Sequence, residues 1–425
     1  MIKKCNRESL GLWLTLALSA MPFLYMLLAY TLHVPMGRLH NAAGFAAVIL
    51  LAVIVWNRGL LKQCVPQIRW LLISAGVFFC LTVVGQLLGY QSILYYLSGL
   101  NNNGRFFIFF FGCILFLKAE QRDTYRKIWD VLFWINFLLS IYQFAVMDVK
   151  LSYEGGDILG GLFGTVPGCN AYTNVFLTVC VTMSILRYMN QQEKAWMCLA
   201  KCAAALILAA MAELKMFVLE FAAILVLAVL LTKFSRRKMY LIIGGIVGTV
   251  ACVKLMLEFF PWWAGWFTPE AIWETAVSSV GYTGTGDWNR LTAVPIAWNE
   301  YLLTWPHKLF GLGLGNCDFS PIAGMTSPFY EANWTSNYYL FSSGLIMLET
   351  GLLGMIAYVG FFFVVFGAAN SLLRSGKGDV VYCQLTEILA LMSLVLFVYN
   401  SSLRTEVGYM LFFALALAFL REDHK

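Results

Sequence analysis

Ionisable side chains placed in or beside long apolar runs are the first residues of this 425-residue chain that could do chemistry. Charge is costly in apolar surroundings, so where it persists it usually binds, pairs or reacts. The candidates are Glu213 with Lys215, Glu220, Lys254, Glu349, Glu387, and Arg404 with Glu406. Most have a structural account as well. Glu258 stands one turn from Lys254 and could pair with it. Glu220 could reach Lys215 or a neighbouring helix, and Arg404 with Glu406 could be solvated in a loop. Lys215 is harder to dismiss, because Glu213-Leu214-Lys215 joins two apolar runs at what reads as a hairpin tip, and a cation there calls for an anion. Arg290 follows Thr283-Gly284-Thr285-Gly286-Asp287-Trp288-Asn289 and opens a helix-like stretch, 291–301. A cation at a helix start opposes the helix dipole unless an anion binds there; the competing account is an i, i+3 pair with Asp287. The chemistry these two cations suggest is the holding of an anionic group.

Other chemistries lack their residues. There is no GxSxG or HExxH, and the four histidines are His33, His40, His307 and His424, so a catalytic zinc site is not expected. The run Phe310-Gly311-Leu312-Gly313-Leu314-Gly315-Asn316 lacks the Lys-Ser/Thr ending of a phosphate-binding loop and the strand–helix setting of a dinucleotide fingerprint. It reads as a tight, close-packed turn beside a ligand. The eleven cysteines show no CxxC or Cys/His spacing for a metal. Cys80, Cys113, Cys180, Cys202 and Cys252 lie in apolar runs and read as small core residues.

Hydrophobic residues make up 60% of the chain and charged residues 12%, too few to cover a water-soluble surface. This excludes an ordinary cytosolic enzyme, a disordered chain and a secreted disulfide scaffold. It points to an all-α polytopic membrane protein, a single integral membrane domain over 1–425. Twelve spans are expected: 10–31, 41–57, the first two thirds of 70–104, 105–117, 131–147, 169–186, 195–212, 216–232, 239–257, 351–373, 380–400 and 407–420. With the N-terminus in the cytoplasm, the inner loops hold 20 of the 29 Lys and Arg, so both termini are expected inside. The net charge of +6 is then a topology signal, and no nucleic-acid partner is expected. Lys201 lies within a span. Arg38, Arg105, Lys150, Lys215, Lys254, Arg290, Lys308 and Arg404 fall on or near the outer side. The one large connection, 260–336, is expected outside, as short amphipathic helices against the membrane interface. It carries Trp262, Trp263, Trp266, Trp273, Trp288, Trp298 and Trp305 and a Gly/Thr turn region, 281–286. No internal repeat is visible, which argues against a transporter built from two similar halves.

In this order and on this face, four stretches resemble the O-antigen polymerase and ligase superfamily of bacterial surface-polysaccharide assembly. Gly160-Gly161-Leu162-Phe163-Gly164 with Gly168-Cys169-Asn170-Ala171 resembles the glycine-rich approach to a central span. Ala212-Glu213-Leu214-Lys215-Met216-Phe217 resembles an outer-face basic motif. Asn289-Arg290 with Trp298 resembles the Arg…Trp motif of the large outer loop. Phe310-Gly311-Leu312-Gly313, then Asn337-Tyr338 and Leu348-Glu349-Thr350-Gly351-Leu352-Leu353-Gly354, resemble the glycine turn and the opening of the following span. The resemblance implies a cytoplasmic (inner) membrane enzyme that works without nucleotide or metal and needs no cofactor. Its substrate would be an undecaprenyl-pyrophosphate-linked oligosaccharide, and its partners membrane lipids, with chain-length regulator and flippase proteins as further candidates. Lys215 and Arg290 would contact the carrier pyrophosphate and carry the main catalytic burden, and Arg404, Arg105, Asn337, Gly311 and Gly313 would line the substrate site. His307, the one His of the outer loop, is expected to be auxiliary as a base, with Asp287 and Glu213, close to Arg290 and Lys215 in sequence, as the alternative bases. Ligases of the superfamily carry a His where this chain has Ser336, before Asn337, which leans the expectation from ligase to polymerase. The alternatives are glycan transfer to a lipid or protein acceptor and, in another class, a transporter or flippase for lipid-linked sugars.

Overall fold

The structure, a computed structural model, describes residues 2–147, 155–232, 236–261, 264–265, 268–277, 286–322 and 324–422. Trp262, Trp263, Trp266, Lys150, Lys233, His424, Lys425 and the turn residues 281–285 lie outside the described residues.

The chain is 80% helical, and no strand occurs among the described residues. Helices α1 (Ile2–Met26), α2 (Met36–Trp56) and α3 (Ile68–Leu88) come first. The Ser92 hydroxyl caps α4 (Ile93–Phe116) by accepting from Leu94 N–H at 3.2 Å. Next come α5 (Arg122–Ala145), α6 (Cys169–Met189), α7 (Ala195–Met211), α8 (Lys215–Leu231) and α9 (Arg236–Phe259). Four short helices, α10 (Pro269–Val277), α11 (Ala293–Ile296), α12 (Trp305–Phe310) and α13 (Pro328–Asn333), fill the long connection. The chain closes with α14 (Ser342–Arg374), α15 (Val380–Tyr399), capped by Asp379, and α16 (Gly408–Ala416), drawn out by a 3-10 turn to Phe419.

Among the described residues, eight helices are long and apolar enough to cross a membrane: α1, α2, α3, α5, α6, α9, α14 and α15. The other expected spans also fall on helices. There, α7, α8 and α16 are short, and the polar run Asn101-Asn102-Asn103 with Arg105 interrupts the apolarity of α4. Arg105 corrects the expected boundary. It does not open a span near the outer side but lies midway along α4, 1% exposed. Nothing between Ile93 and Gly104 breaks a helix, so the helix runs through the asparagines.

Burial sorts the bundle into a centre and a rim. In α6, 89% of the apolar window is buried, and in α15 78%, against 17% in α9. Along α9, Ile243, Ile246, Val247 and Val250 face outward, as they should where lipid is the solvent. The centre is aromatic: Phe107 and Phe361 pack tilted at 60° with centroids 4.7 Å apart, and Phe106 packs on Tyr409 at 5.0 Å. Cys113, Cys180, Cys202 and Cys252 are buried as expected, whereas Cys80 is exposed on the rim.

The chain runs up and down. The starts of α2, α4, α6, α8, α14 and α16 therefore share one end with the long connection, while the N-terminus lies at the other. Ser342 N–H donates to Asn400 O at 3.1 Å at the first end, and Gln67 donates to Ser371 at 3.2 Å at the second. In the connection, Trp288 joins a second apolar cluster with Leu302, Cys317, Tyr338, Phe341 and Leu345, while Trp273 and Trp305 are exposed.

Candidate active site

The loop end of the bundle gathers the candidate residues into two clusters. The first is built on the tip between α7 and α8. Leu214 N–H donates to Ala209 O at 2.9 Å, and Glu213 adopts φ 52°, so the chain reverses in three residues. That turn buries the Glu213 carboxylate and starts α8 at Lys215, with an ion pair of 3.9 Å between them. Lys215 also lies within electrostatic reach of Asp157 and of Arg290. Arg290 arrives from the other side, in the turn before α11, where Asn289 caps the next residues through Thr292 and Ala293. Its guanidinium lies over the Tyr399 ring, 4.6 Å from the centroid, at the end of α15. Two cations 75 positions apart in sequence, on separate elements, thus share one rim with two carboxylates. Asp287, three residues before Arg290, accepts from Asn337 Nδ2 at 2.9 Å, and Asn337 holds a left-handed φ of 58°. Trp288 N–H donates to Ser336 O at 2.9 Å, so the Asp287 and Asn337 segments are stitched together.

The glycine run has a definite job. Gly351 breaks α14 with φ 63°, which frees the carbonyls of the turn before it. Leu312 N–H donates to Leu348 O at 2.8 Å and Gly313 N–H to Glu349 O at 3.0 Å, so the run docks backbone to backbone on that break. A Cβ on Gly311 would stand 2.3 Å from the Glu349 carbonyl carbon, and one on Gly315 1.9 Å from Tyr95 O. Gly311 and Gly313 were expected to border a ligand. Their closest neighbours are α14, α3 and the Asn316 side chain, and this packing accounts for glycine at both positions.

Docking the run delivers Cys317 and Asp318 into the bundle and builds the second cluster. Arg404 donates to Asp318 Oδ2 at 2.5 Å and to Asn103 Oδ1 at 2.9 Å. Asn102 donates to the same Asp318 oxygen at 2.7 Å, and its Oδ1 stands 2.8 Å from His40 Nε2. His40 Nδ1 lies 3.0 Å from Glu406 Oε1, which also accepts from Arg105 Nη1 at 3.0 Å. Cys317 N–H donates to Glu349 Oε1 at 3.3 Å, and Tyr338 Oη donates to Cys317 O. Arg105 is 1% exposed, Glu406 5% and Arg404 8%, so the pair expected to be solvated is buried. Glu406 lies in the connection between α15 and α16. Burial works against its ionisation, but Arg105 and His40 outweigh it and hold the carboxyl down at about 2. Sequence reasoning named Arg105, Arg404, Glu349 and Glu406 separately. It missed His40, Asn102, Asn103 and Asp318, whose one visible signal is the uncharged polar triplet inside an apolar run.

The first turns of α6 lie between the clusters. Asn170 donates to Asp157 at 3.0 Å, and Tyr172 lies within electrostatic reach of Arg105. Two other candidate carboxylates, Glu220 and Glu387, have partners that account for them. Glu220 accepts from Asn174 at 3.0 and 3.1 Å and from Thr178 at 2.7 Å, not from Lys215, and ties α8 to α6. Glu387 accepts from Asn370 at 2.9 Å. Lys254 and Glu258 form no ion pair among the described residues. His307 is half-buried on α12, behind its Thr304 cap, and among the described residues its ring has no hydrogen bond to any other candidate. Lys308 beside it sits over the Trp298 ring at 4.9 Å.

The first cluster can hold an anion between a fork and a point charge, with carboxylates able to take a proton. The second is a largely self-satisfied set of opposite charges. No protein-family model and no curated protein matches this sequence.

Proposed function

We propose that the chain is a polysaccharide polymerase that transfers an undecaprenyl-pyrophosphate-linked glycan onto a lipid-linked repeat unit at the outer face of the cytoplasmic membrane. The reading places twelve spans in that membrane, with both termini inside and the 260–336 connection outside. The observation that carries it is the shared rim of Lys215 and Arg290, with Glu213 and Asp157 within reach of the same ammonium. In the proposed reaction the acceptor hydroxyl attacks C1 of the donor sugar. The C1–O bond to pyrophosphate breaks, the leaving group departs with the bonding electrons, and the hydroxyl proton passes to a carboxylate, Asp287 or Glu213. Arg290 and Lys215 stabilise the charge that grows on the pyrophosphate, the kind of preorganised electrostatics that often supplies the largest catalytic contribution. Arg105 and Arg404, expected at the substrate, serve in this reading to hold the Asp318 and Glu406 connections in place.

One observation favours a second reading, a transporter of lipid-linked sugars: Arg105 on α4 and Glu406 in the α15–α16 connection form a buried ion pair, as charges along a transport path do. Glycan transfer to a lipid or protein acceptor differs from the first reading only in the acceptor. The test is the purified protein in detergent with lipid-linked repeat units and no nucleotide sugar. Chain lengthening with release of the pyrophosphate carrier supports the polymerase. Unchanged repeat units in detergent, with movement across a bilayer in vesicles, would select the transporter.

A further inference from the structure

At the end of the bundle that carries the N-terminus, the α6–α7 turn and the start of α9 enclose an open cleft of about 500 Å³. Tyr188, Gln191, Gln192, Lys194, Arg237 and Tyr240 line it. The cleft has a fixed frame. Arg237 Nη1 donates to Tyr188 O at 2.8 Å, bridging α9 to α6, and its guanidinium lies 5.4 Å from the Tyr188 ring centroid. Arg187 donates to Gln192 O at 3.0 Å and pins the turn, in which Gln191 holds φ 64°. The one carboxylate of the lining, Glu193, is already neutralised by Lys201 at 3.2 Å and Arg187 at 3.4 Å, and accepts from the Ser184 hydroxyl at 2.5 Å. Among the described residues no carboxylate lies within 4.0 Å of Arg237 or Lys194, so the cleft keeps two uncompensated cations and the amides of Gln191 and Gln192.

We propose that this cleft binds the phosphate of an anionic phospholipid headgroup, with Arg237 and Lys194 as its cationic walls. Two features point to a lipid as the source of the phosphate. Tyr240 and Trp196 are exposed beside the cleft, and exposed aromatic side chains at helix ends are the kind that settle at a membrane interface. Directly beyond Tyr240, the outward face of α9 continues as Ile243, Ile246 and Val247, all exposed, a surface on which acyl chains can lie. Basic pockets at helix ends recognise headgroups in this way, each cation adding a modest share of the affinity. The site lies at the opposite end from Lys215 and Arg290 and does not depend on the function proposed for them.

The test uses the purified, delipidated full chain in detergent, titrated with phosphatidylglycerol or phosphatidylcholine and read by native mass spectrometry. Phosphatidylglycerol should bind at least several-fold more tightly than phosphatidylcholine. Lys194→Gln should weaken phosphatidylglycerol roughly fivefold, and Lys194→Gln with Arg237→Gln roughly thirtyfold. Lys194 is exposed, and among the described residues its side chain makes no hydrogen bond or ion pair, so its variant reads binding even if the Arg237 change loosens the α6–α9 bridge. Lys62→Gln, an exposed lysine at the same end, should have no effect. Equal affinity for the two lipids, or an equal loss from Lys62→Gln, would overturn the proposal. Displacement of the lipid by millimolar inorganic phosphate would show a site for free phosphate and would also overturn it.

Discussion

At the scale of single residues, the Glu406–Arg105 pair makes the sharpest demand. With its carboxyl held at about 2, Glu406 contributes stability that is complete above the ordinary carboxylate range, near pH 4 to 5, and lost as pH falls towards 2. The difference in thermal unfolding between wild type and Glu406→Gln in detergent should therefore be widest near neutrality and shrink below about pH 4. A difference that stayed constant to pH 3 would show that the charge of Glu406 does not stabilise the fold. Arg105→Met leaves a buried carboxylate without its cation and should cost about 3–5 kcal/mol in the same assay. His307 stands apart from both clusters. His307→Ala should reduce polymer formation far less than the 10²- to 10⁴-fold typical of losing a general base, and a loss in that range with the protein still folded would make His307 the base. The cations of this site were legible in the sequence because charge is conspicuous in apolar runs. His40 and Asp318 were not, because their meaning depends on contacts 62 and 86 positions distant, His40 to Asn102 and Asp318 to Arg404.

At the scale of elements, the break in α14 organises the loop end. Gly351 must adopt φ 63°, and a Cβ there would stand 2.5 Å from Gly311 N and Leu309 C. Gly351→Ala should cost more than the roughly 1–2 kcal/mol of left-handed backbone, because the docked turn must also move. Gly360→Ala, on the same helix with nothing within 4 Å, is the matched control and should be neutral or slightly stabilising. Equal effects of the two in thermal unfolding would remove the docking role of the glycine run. Helix positions were readable from apolar run length. What could not be read was that the glycine run closes on α14, since a positive-φ glycine has the same sequence signature beside a helix and beside a ligand. Arg105 was misplaced for a related reason. Its polar neighbours resemble a helix boundary until their partners on other helices are known.

At the scale of the whole molecule, helices with buried faces (α6, α15) sit inside a rim of helices with outward aliphatic faces, and the two charged clusters share the end opposite the N-terminus. The expected inner loops hold 20 of the 29 Lys and Arg, which predicts that the end carrying the N-terminus is cytoplasmic. Single cysteines introduced at Gly286 and Gly324, in an otherwise cysteine-free background, should react with a membrane-impermeant maleimide in intact cells. Reaction only after permeabilisation would reverse the orientation and place the proposed chemistry on the wrong face. The central claim is that Arg290 and Lys215 together hold the leaving pyrophosphate, and its most direct measurement is polymer formed per enzyme from purified lipid-linked repeat units. Arg290→Ala and Lys215→Ala should each lower turnover per folded enzyme roughly 10²- to 10³-fold, the scale of losing one transition-state donor; Lys215→Ala should also lower the unfolding temperature, because it leaves the buried Glu213 carboxylate without its cation. Full turnover by a folded Arg290→Ala protein would contradict the claim.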